Sequence, residues 1–252
     1  MISLGLSKRE QEILEQLSLD PSLNVAKLSE MFSVSQVTIR TNLNDLEEKG
    51  LIVRNRGGGI PAFHPNIIKS LRTNIKHKEH IAQKAASMIK EGDNVMISAG
   101  TTTALIPQYL LGKMNIHIVT NSILILKYAR ANPSLKVTLV GGEFNPSTEA
   151  IVGVMAVRSL DIFCVNKSFV GCDAFSAEQG AFAYQPAEAE VVRKMQEQSK
   201  ESILVADSSK YGGTGFAFTN SIDKFSTIIT DNNLSPEQKI ALEESAGKVY
   251  IV

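Results

Sequence analysis

The sequence lacks several features that would by themselves indicate a class of protein. Its 252 residues include 26 basic and 26 acidic side chains, so the overall charge gives no sign of a nucleic-acid partner. No window approaches the roughly 20 consecutive apolar residues of a membrane span. The first residues have neither the apolar run nor the small-residue cleavage site of a signal peptide. We therefore expect a cytoplasmic protein that has no membrane partner.

Ligands for a metal ion are also scarce. The two cysteines, Cys164 and Cys172, form no Cys-x-x-Cys motif and are most simply two reduced thiols. His77 and His80 lie three residues apart on a predicted helix, but no further ligand accompanies them. We expect neither a metal site nor a cofactor. The content of 43% hydrophobic and 21% charged residues fits a folded protein with a proper core.

The chain changes character near residue 60. Before this point, apolar residues recur with a helical period. After it, short apolar runs of strand type alternate with amphipathic helical stretches. We predict a winged helix-turn-helix domain at 1–60, a linker at 61–77 with room for a short helix, and an α/β domain at 78–252.

Three helices are predicted in the first domain, over residues 7–19, 25–32 and 35–49. Ser7 is predicted to cap the first helix, and Ser35 is predicted to cap the third. The predicted core residues of the second and third helices are Ala26, Leu28, Met31, Phe32, Val37, Ile39, Leu43 and Leu46. A Gly57-Gly58-Gly59 turn after the alternating residues 51–56 predicts a β-hairpin that forms the wing.

A helix-turn-helix places its second helix, here the third helix of the domain, in the major groove of DNA. The predicted outward face of this helix has no acidic residue before Asp45, and its side chains can bond base edges or phosphates. The residues of this helix that we expect to contact DNA are Ser35, Gln36, Thr38, Arg40, Thr41, Asn42 and Asn44. In the wing, Arg54 and Arg56 are expected to approach phosphates, and Gly57 lets the backbone come close. The pattern alone also fits a three-helix packing module with a polar face.

Seven short apolar runs predict the strands of the second domain. They lie at 94–98, 117–120, 136–140, 168–170, 203–206, 227–230 and 248–252. Helical stretches at 78–91, 124–130, 187–199 and 236–246 separate several of them. Short apolar strands separated by helices of this length favour a parallel sheet in an α/β layer structure.

Small and polar residues follow several of these strands. In open α/β sheets, ligands bind beyond the carboxyl ends of the strands. The candidate phosphate loop, which precedes a predicted helix, consists of Ser98, Gly100, Thr101, Thr102 and Thr103. Further candidate ligand residues are Thr120, Asn121, Ser122, Gly141, Gly142, Asp173 and Lys210. Hydroxyl, amide and carboxylate groups in this placement favour a polyol phosphate, although each motif alone also fits an ordinary turn or helix cap.

The segment from Val34 to Gly50, with the wing that follows, resembles the DeoR-type transcriptional regulators. Their signature reads roughly V-S-x-x-T-I-R-R-D-L-x-x-L-E-x-x-G and continues into an Arg-x-His-Gly-Gly wing. Thr41 and Asn42 stand where the family usually has Arg and Asp, and Arg56 stands where it usually has His. The first change removes a positive charge near the recognition helix, and the last adds one at the wing.

The second domain resembles the sensor domain of the same family. The motifs that carry the resemblance are Gly100-Thr101-Thr102, Thr120-Asn121-Ser122, Gly141-Gly142, Gly171 with Asp173, Glu188, and Asp207-Ser208-Ser209-Lys210. The resemblance implies a fold similar to ribose-5-phosphate isomerase and the binding of phosphorylated sugars or their catabolites. By position, it implies that Gly100 to Thr103 hold the phosphate and that Asp173, Glu188 and Lys210 lie near the sugar. The family commonly has Asp where this chain has Ser98, which implies a different sugar or weaker binding.

Together these features predict a repressor of a carbohydrate-utilisation operon, with operator DNA as its partner and a sugar phosphate as its effector. The family and the half-site geometry imply self-association as a dimer or tetramer. One alternative is an isomerase in which Asp173, Glu188 and Lys210 transfer a proton on a sugar phosphate. Because a helix-turn-helix has no role in a simple isomerase, we expect no enzymatic activity. Another alternative is a protein-interaction module whose sensor has decayed.

Overall fold

The computed structural model describes residues 6–252. They divide into two compact units, and the division lies between Thr73 and Asn74. This boundary falls inside the segment 61–77, which contains the fourth helix and the start of the fifth. No helix within the described range combines the length and the apolar character that crossing a bilayer requires.

The first unit consists of helices and one β-hairpin. Its elements are α1 (Lys8–Leu19), α2 (Val25–Phe32), α3 (Gln36–Glu48), β1 (Ile52–Asn55), β2 (Gly58–Pro61) and α4 (Pro65–Arg72). The Ser7 hydroxyl accepts from the Glu10 amide at 3.2 Å, and the Glu10 carboxylate accepts from the Ser7 amide in return. The Ser35 hydroxyl likewise accepts from the Thr38 amide at 3.1 Å at the start of α3. Both predicted helix caps are confirmed.

The core of the first unit differs from the prediction at three positions that were expected to be buried. Ile39, Leu43 and Leu46 are fully buried along one stripe of α3, as predicted. The expectation that Val37 is buried is wrong, since its side chain is 68% exposed. Val37 precedes Ile39 by two residues, which rotates it by roughly 200° to the opposite face of the helix. The same error affects two α2 residues that were expected in the core but are exposed, Ala26 and Met31.

Helix α4 lies within the segment that separates the two predicted domains. Its Ile68 side chain is buried in the same hydrophobic cluster as Ile13 and Leu46, so the helix packs against the helix-turn-helix. Arg72, at the end of α4, donates a hydrogen bond to the Gln11 side chain of α1. The first unit therefore includes this helix as a packed element rather than as free chain.

The second unit is an α/β domain. Its strands are β3 (Asn94–Ile97), β4 (Ile116–Thr120), β5 (Leu135–Leu139), β6 (Glu143–Asn145), β7 (Ala150–Val152), β8 (Val165–Val170), β9 (Ala174–Ser176), β10 (Gly180–Ala183), β11 (Ser199–Val205), β12 (Ala217–Asn220), β13 (Thr227–Thr230) and β14 (Val249–Ile251). Its α-helices are α5 (Ile75–Ser87), α6 (Ile125–Ala129), α7 (Val154–Leu160), α8 (Pro186–Glu197) and α9 (Pro236–Ser245).

Seven of these strands form one parallel sheet in the order β14-β13-β11-β8-β3-β4-β5. All seven predicted strands are confirmed, because each overlaps a member of this sheet. The chain builds outward from β3 to β5 in one direction and from β8 to β14 in the other. The strand order therefore reverses between β3 and β8, and such a switch point opens a crevice at the carboxyl ends of the two strands.

The helix predicted after the threonine loop forms, but Thr103–Leu110 winds as a 3₁₀ helix. Pro107 lies inside it and has no amide hydrogen, so it cannot donate the i to i−4 bond of an α-helix. The side chains of Thr103, Leu105 and Ile106 are buried, which fixes this short helix against the sheet.

Several short elements were not predicted. They are the hairpin of β6 with β7, helix α7, and a small antiparallel sheet with strand order β12-β10-β9. Each of the unpredicted strands has only three or four residues, and those of the small sheet are rich in Ala, Gly or Phe. The small sheet follows the carboxyl ends of β8 and β11 along the chain.

Candidate DNA-binding surface and effector site

The recognition helix α3 presents a polar outward face. Arg40, Thr41 and Asn44 are exposed on it, and Ser35 and Gln36 are exposed at its start. The hydroxyls of Ser35 and Thr38 lie 2.9 Å apart and belong to the helix cap. Thr41 donates its hydroxyl to the Val37 carbonyl at 3.2 Å within the helix. Gln36 and Arg40 are thus the long exposed side chains that can reach a base edge, whereas the Asn44 side-chain oxygen accepts a hydrogen bond from Arg54.

Two further residues of α3 refine this surface. Asn42 is half-buried, and its amide oxygen has no hydrogen-bond partner among the described residues. Val37 was assigned to the core by sequence and instead lies on the outward face with Arg40 and Asn44. If the α3 residues are plotted around the helix axis with the buried stripe as reference, Val37 falls on the outward face.

The two arginines of the wing occupy different environments. The Arg54 guanidinium donates to the Gly58 carbonyl at 2.9 Å and also bonds the Asn44 side chain. Arg54 therefore links the hairpin to the recognition helix, and part of its donor capacity is used within the unit. Arg56 is exposed at the turn, next to Gly57, whose φ of +113° favours glycine. Arg56 is the better candidate for a phosphate contact.

The turn of the wing consists of Arg56 and Gly57 rather than the predicted Gly57-Gly58-Gly59, and Gly58 begins β2, where close packing requires a glycine. A Cβ on Gly58 would lie 2.6 Å from the Leu23 carbonyl oxygen, a distance that real Cβ atoms essentially never show. The Val25 amide also donates to the Gly57 carbonyl at 2.7 Å. These contacts anchor the wing to the start of α2.

The candidate phosphate loop follows β3 at the switch point of the large sheet. Gly100 has a φ of +154°, and a Cβ there would lie 2.9 Å from the Thr103 hydroxyl. Thr103 is fully buried and donates to the Ser98 carbonyl at 2.8 Å, so its hydroxyl serves the loop itself. Thr102 is also buried, whereas Thr101 is partly exposed. Thr101 is thus the loop hydroxyl best placed to meet a ligand.

Two lysines lie at this loop. Lys78, on α5, is only 4% exposed, and its ammonium donates to the Thr101 hydroxyl at 3.1 Å. Burial, together with the Lys210 cation, lowers the pKa of Lys78 to about 8, although the Asp207 carboxylate acts in the opposite direction. Lys210 donates its ammonium to the Cys172 carbonyl, just beyond β8. Two cations held near one another in this way favour an anion between them.

Asp207 follows β11 and is almost fully buried. Burial acts to raise the pKa of its carboxyl, but hydrogen bonds from Ser209 and Asn74 and the two lysines hold the pKa below its ordinary value. The Asn74 amide lies 2.8 Å from the carboxylate. Asp207 is therefore ionised at neutral pH and partly balances the cations.

Two further carboxylates lie at this edge of the domain. Asp173, beyond β8, accepts from the Tyr184 amide at 2.8 Å. Glu188 lies in the first turn of α8 and accepts from the Thr148 hydroxyl and, at 3.4 Å, from the Asn145 amide. Burial raises the pKa of Glu188, the Thr148 bond opposes this shift, and the Asp173 charge adds to it. Asp173 and Glu188 thus interact electrostatically, and both can accept hydrogen bonds from hydroxyl groups.

Three of the remaining predicted site residues use their side chains within the protein. Ser98 accepts from the Gly171 amide at 3.0 Å, and Asn121 accepts from the Ala99 amide at 2.8 Å. Thr120 donates to the Ile97 carbonyl at 2.6 Å, while the buried Ser122 hydroxyl has no partner among the described residues. Gly141 and Gly142 are exposed beyond β5. A Cβ on Gly142 would lie 2.6 Å from the Val152 carbonyl oxygen, so this glycine also serves packing.

Lys78 is a site residue that was not predicted, although its position on α5 gives a signal. Lys78 precedes Ile81, Ala82 and Ala85 at spacings of three, four and seven, so it falls on the buried face of α5. A cation on the apolar stripe of an amphipathic helix needs a specific reason, because lysine is almost never fully buried without a partner.

The described residues give little support to a reactive thiol or to a metal site. Burial raises the pKa of the Cys172 thiol to about 12, so it is not a thiolate nucleophile at neutral pH. Residues 6–252 contain no cluster of three or more His, Cys, Asp or Glu side chains that could hold a metal ion.

A winged helix-turn-helix followed by an α/β unit with a charged cluster at its switch point defines a two-domain transcriptional regulator. Residues 9–60 match the family model of the DeoR-like helix-turn-helix domain, and residues 73–232 match the model of the DeoR C terminal sensor domain. The chain belongs to the DeoR family of transcriptional regulators. The predicted family resemblance is confirmed.

Relatives of known name match over almost the full length of the chain. The chain is 33% identical to the uncharacterized HTH-type transcriptional regulator YulB of Bacillus subtilis (strain 168), over 98% of this chain and 97% of that protein. It is 31% identical to the lactose phosphotransferase system repressor of Lactococcus lactis subsp. lactis, over 93% and 94%. It is 29% identical to the glycerol-3-phosphate regulon repressor of Escherichia coli (strain K12), over 91% and 92%. All three are named as transcriptional regulators or repressors.

Two groups of solved structures are similar in part. Ribose 5-phosphate isomerase A from Neisseria gonorrhoeae matches with a TM-score of 0.40 and 18% identity, over 55% of this chain and 54% of that one. The sorbitol operon regulator SorC from Klebsiella pneumoniae matches with a TM-score of 0.39 and 10% identity, over 97% of each chain. At these scores, the similarity identifies neither a ligand nor an activity.

Proposed function

We propose that the protein is a repressor of carbohydrate-utilisation genes whose affinity for operator DNA is controlled by a phosphorylated sugar or a related metabolite. The first unit binds the operator through α3 and the wing. The second unit binds the effector at the switch point of its parallel sheet. The main support for this proposal is that two cations, Lys78 and Lys210, lie near each other beside the Gly100 loop.

The physical chemistry of this cluster favours a phosphate. Keeping an ammonium group buried costs free energy, and the lowered pKa of Lys78 expresses that cost. A phosphate dianion placed between Lys78 and Lys210 would offset the cost by pairing both cations with charge-assisted hydrogen bonds. The Thr101 hydroxyl and the backbone amides of the loop would supply further donors. A neutral sugar would bring no negative charge to offset the positive charge of the two lysines.

The carboxylates favour a polyol as the remainder of the ligand. Asp173 and Glu188 lie at the same edge of the sheet and accept hydrogen bonds, which suits sugar hydroxyls. Of the predicted contact residues, Ser98, Thr103 and Asn121 already hold the loop with their side chains. These residues would shape the site, while Thr101, Lys78 and Lys210 would touch the phosphate directly.

The names of the relatives support the proposed class of effector. One relative is a lactose phosphotransferase system repressor, and another is a glycerol-3-phosphate regulon repressor. A third is a putative aga operon transcriptional repressor. A repressor of carbohydrate genes that responds to a phosphorylated metabolite fits this group.

Control of DNA binding requires a switch between two states. We propose that the regulator acts as a dimer or tetramer that presents paired recognition helices to the half-sites of an operator. An effector that binds the two states with different affinity shifts their populations and so changes the affinity for DNA. The proposed sense is repression that the effector relieves.

A thermal-shift screen on the full-length protein tests the proposed ligand class. Each sugar phosphate is compared with its unphosphorylated parent, and a ligand that binds only the native state raises the melting temperature. We expect shifts with at least one phosphate ester and none with the parent sugars. Thr101→Val should reduce the shift, whereas Thr73→Val, at an exposed position in the first unit, should not. Equal shifts with phosphorylated and unphosphorylated sugars would reject the phosphate site.

A further inference from the structure

The outward face of the small sheet carries aromatic rings. Phe182 and Tyr184 lie along and just beyond β10, and Phe216 and Phe218 lie just before and within β12. Their exposed fractions are 81% for Phe216, 62% for Tyr184 and 49% for Phe218. A sheet face in contact with solvent ordinarily carries polar side chains. We call these four residues the aromatic face.

The alternation along both strands shows that this arrangement is regular. The side chains that alternate with the aromatic residues are small; Ala181, Ala183 and Thr219 are buried, and Ala217 is half-buried. The pairing register sets Phe182 opposite Phe218, and their rings meet edge to face with centroids 5.6 Å apart. The strands thus bury their small residues and expose their large ones, which reverses the usual pattern of a half-buried sheet.

The size of the aromatic face matches the apolar centre of a protein interface. Given roughly 150–250 Å² for a whole aromatic side chain, the three most exposed rings present about 400 Å² of apolar surface. A standard interface buries about 800 Å² on each partner, of which about 65% is apolar in homodimers. The aromatic face therefore supplies most of the apolar area that one side of a dimer needs.

The lack of charged residues in this face indicates which kind of partner fits it. The two segments that build the face, residues 179–187 and 211–222, contain no Lys, Arg, Asp or Glu. In a two-fold symmetric contact, each residue near the axis meets its own copy, so a charge there would face a like charge. These segments bring no charge of their own to the contact, and the guanidinium of the half-buried Arg193 is held by the Phe218 carbonyl, so the face suits a second copy of the same chain.

We infer that two copies of this chain associate through their aromatic faces. The inference rests on the self-association proposed above and assigns it a surface. The aromatic rings form the centre of the contact, where aromatic residues are enriched and contribute most of the binding energy. The backbone of this sheet is also linked to the effector site, because the Asp173 carboxylate accepts a hydrogen bond from the Tyr184 amide.

Sedimentation velocity of the full-length protein across the micromolar range tests this inference. The test variant is Phe216→Ser combined with Phe218→Ser. The matched control is Ile240→Ser, which removes an exposed apolar side chain of α9. We expect the wild type and the control to associate, and the double variant to have a dimer dissociation constant at least about 100-fold higher.

Each outcome has a definite meaning. A double variant that associates as tightly as the wild type would overturn the inference and assign the aromatic face to another occupant. A wild type that is monomeric at all concentrations would overturn both the inference and the proposed assembly. If far-UV circular dichroism shows that the double variant is unfolded, Phe216→Ser alone provides the test, since its ring is the most exposed and the Phe182–Phe218 contact is kept.

Discussion

In the first unit, the side chains that we expect to meet DNA lie mostly in solvent, whereas in the second unit the charged groups of the candidate site are buried or half-buried. Arg40, Asn44 and Arg56 are exposed, but Lys78 and Asp207 are 4% and 2% exposed. The two environments impose different physics. Exposed charges are strongly screened by salt. Buried charges are screened little, and desolvation shifts their pKa values.

This contrast shows how one chain can separate two kinds of binding. A DNA surface must accept a long polyanion, and exposed arginines achieve this with counterion release and little desolvation cost. A small anion must be recognised selectively, which favours buried cations whose pairing is worth more in a medium of low dielectric constant. The first unit should therefore respond mainly to salt, and the second mainly to pH.

The largest expected effect concerns the buried lysine. Lys78→Gln removes a cation from the phosphate site, and charge-assisted hydrogen bonds of this type contribute about 1.5–3 kcal/mol. We expect the affinity for the sugar phosphate to fall by about 10- to 150-fold, as measured by isothermal titration calorimetry. Lys200→Gln is the matched control, since Lys200 is exposed at the amino end of β11, away from the site. Unchanged affinity in Lys78→Gln would remove Lys78 from the site.

The counterpart in the first unit is Arg40→Ala. Loss of a base-reading arginine costs about 1–3 kcal/mol, so the dissociation constant for operator DNA should rise about 5- to 150-fold. Affinity for the effector should stay unchanged, which calorimetry on the same variant can check. Arg130→Ala, at an exposed position in the second unit, is the control. If Arg40→Ala binds the operator as tightly as the control does, α3 does not read DNA through this residue.

Binding of the effector should depend on pH through Lys78. The pKa of this lysine is lowered to about 8, so it is a cation below that pH and becomes neutral as the pH rises through it. Phosphate esters are already dianions above about pH 6. Affinity should therefore fall about tenfold between pH 7 and pH 9. In Lys78→Gln this fall should disappear, and a fall of equal size in the variant would assign the dependence to another group.

The smallest expected effect distinguishes the two arginines of the wing. Arg56→Ala should weaken DNA binding a few-fold and reduce the salt dependence by about one phosphate contact. Arg54→Ala should act differently, because Arg54 bonds Asn44 and Gly58 and holds the hairpin against α3. We expect Arg54→Ala to lower the melting temperature more than Arg56→Ala does. Equal losses of stability would show that the contacts of Arg54 contribute little.

Regular elements of the fold were predictable because their apolar residues repeat. The seven strands of the large sheet and helices α1, α2 and α3 follow directly from period and cap residues. The small sheet was not predictable, because its strands have only three or four residues, and β10 and β12 bury small residues and expose aromatic ones, the reverse of the usual pattern. Its strands exist because they pair with each other and pack against α8, which is tertiary information.

The candidate site was predictable in outline only. The Gly100 loop, Asp173 and Lys210 follow strands, and parallel strands bring their carboxyl ends to one edge. Lys78 precedes the first strand of the large sheet, so only the packing of α5 brings it to the loop. Sequence also cannot separate groups that would bind a ligand from groups that hold the loop. Ser98 and Asn121 belong to the second kind through their bonds to backbone amides.

The central claim is that an effector bound in the second unit changes the affinity of the first unit for DNA. The direct measurement is a fluorescence anisotropy titration of the full-length protein on an operator duplex selected from a random library, with and without the sugar phosphate found in the screen. We predict a change in the dissociation constant of about fivefold or more, and linkage requires the DNA to change the affinity for the effector by the same factor. Identical titration curves with and without saturating effector would contradict the account.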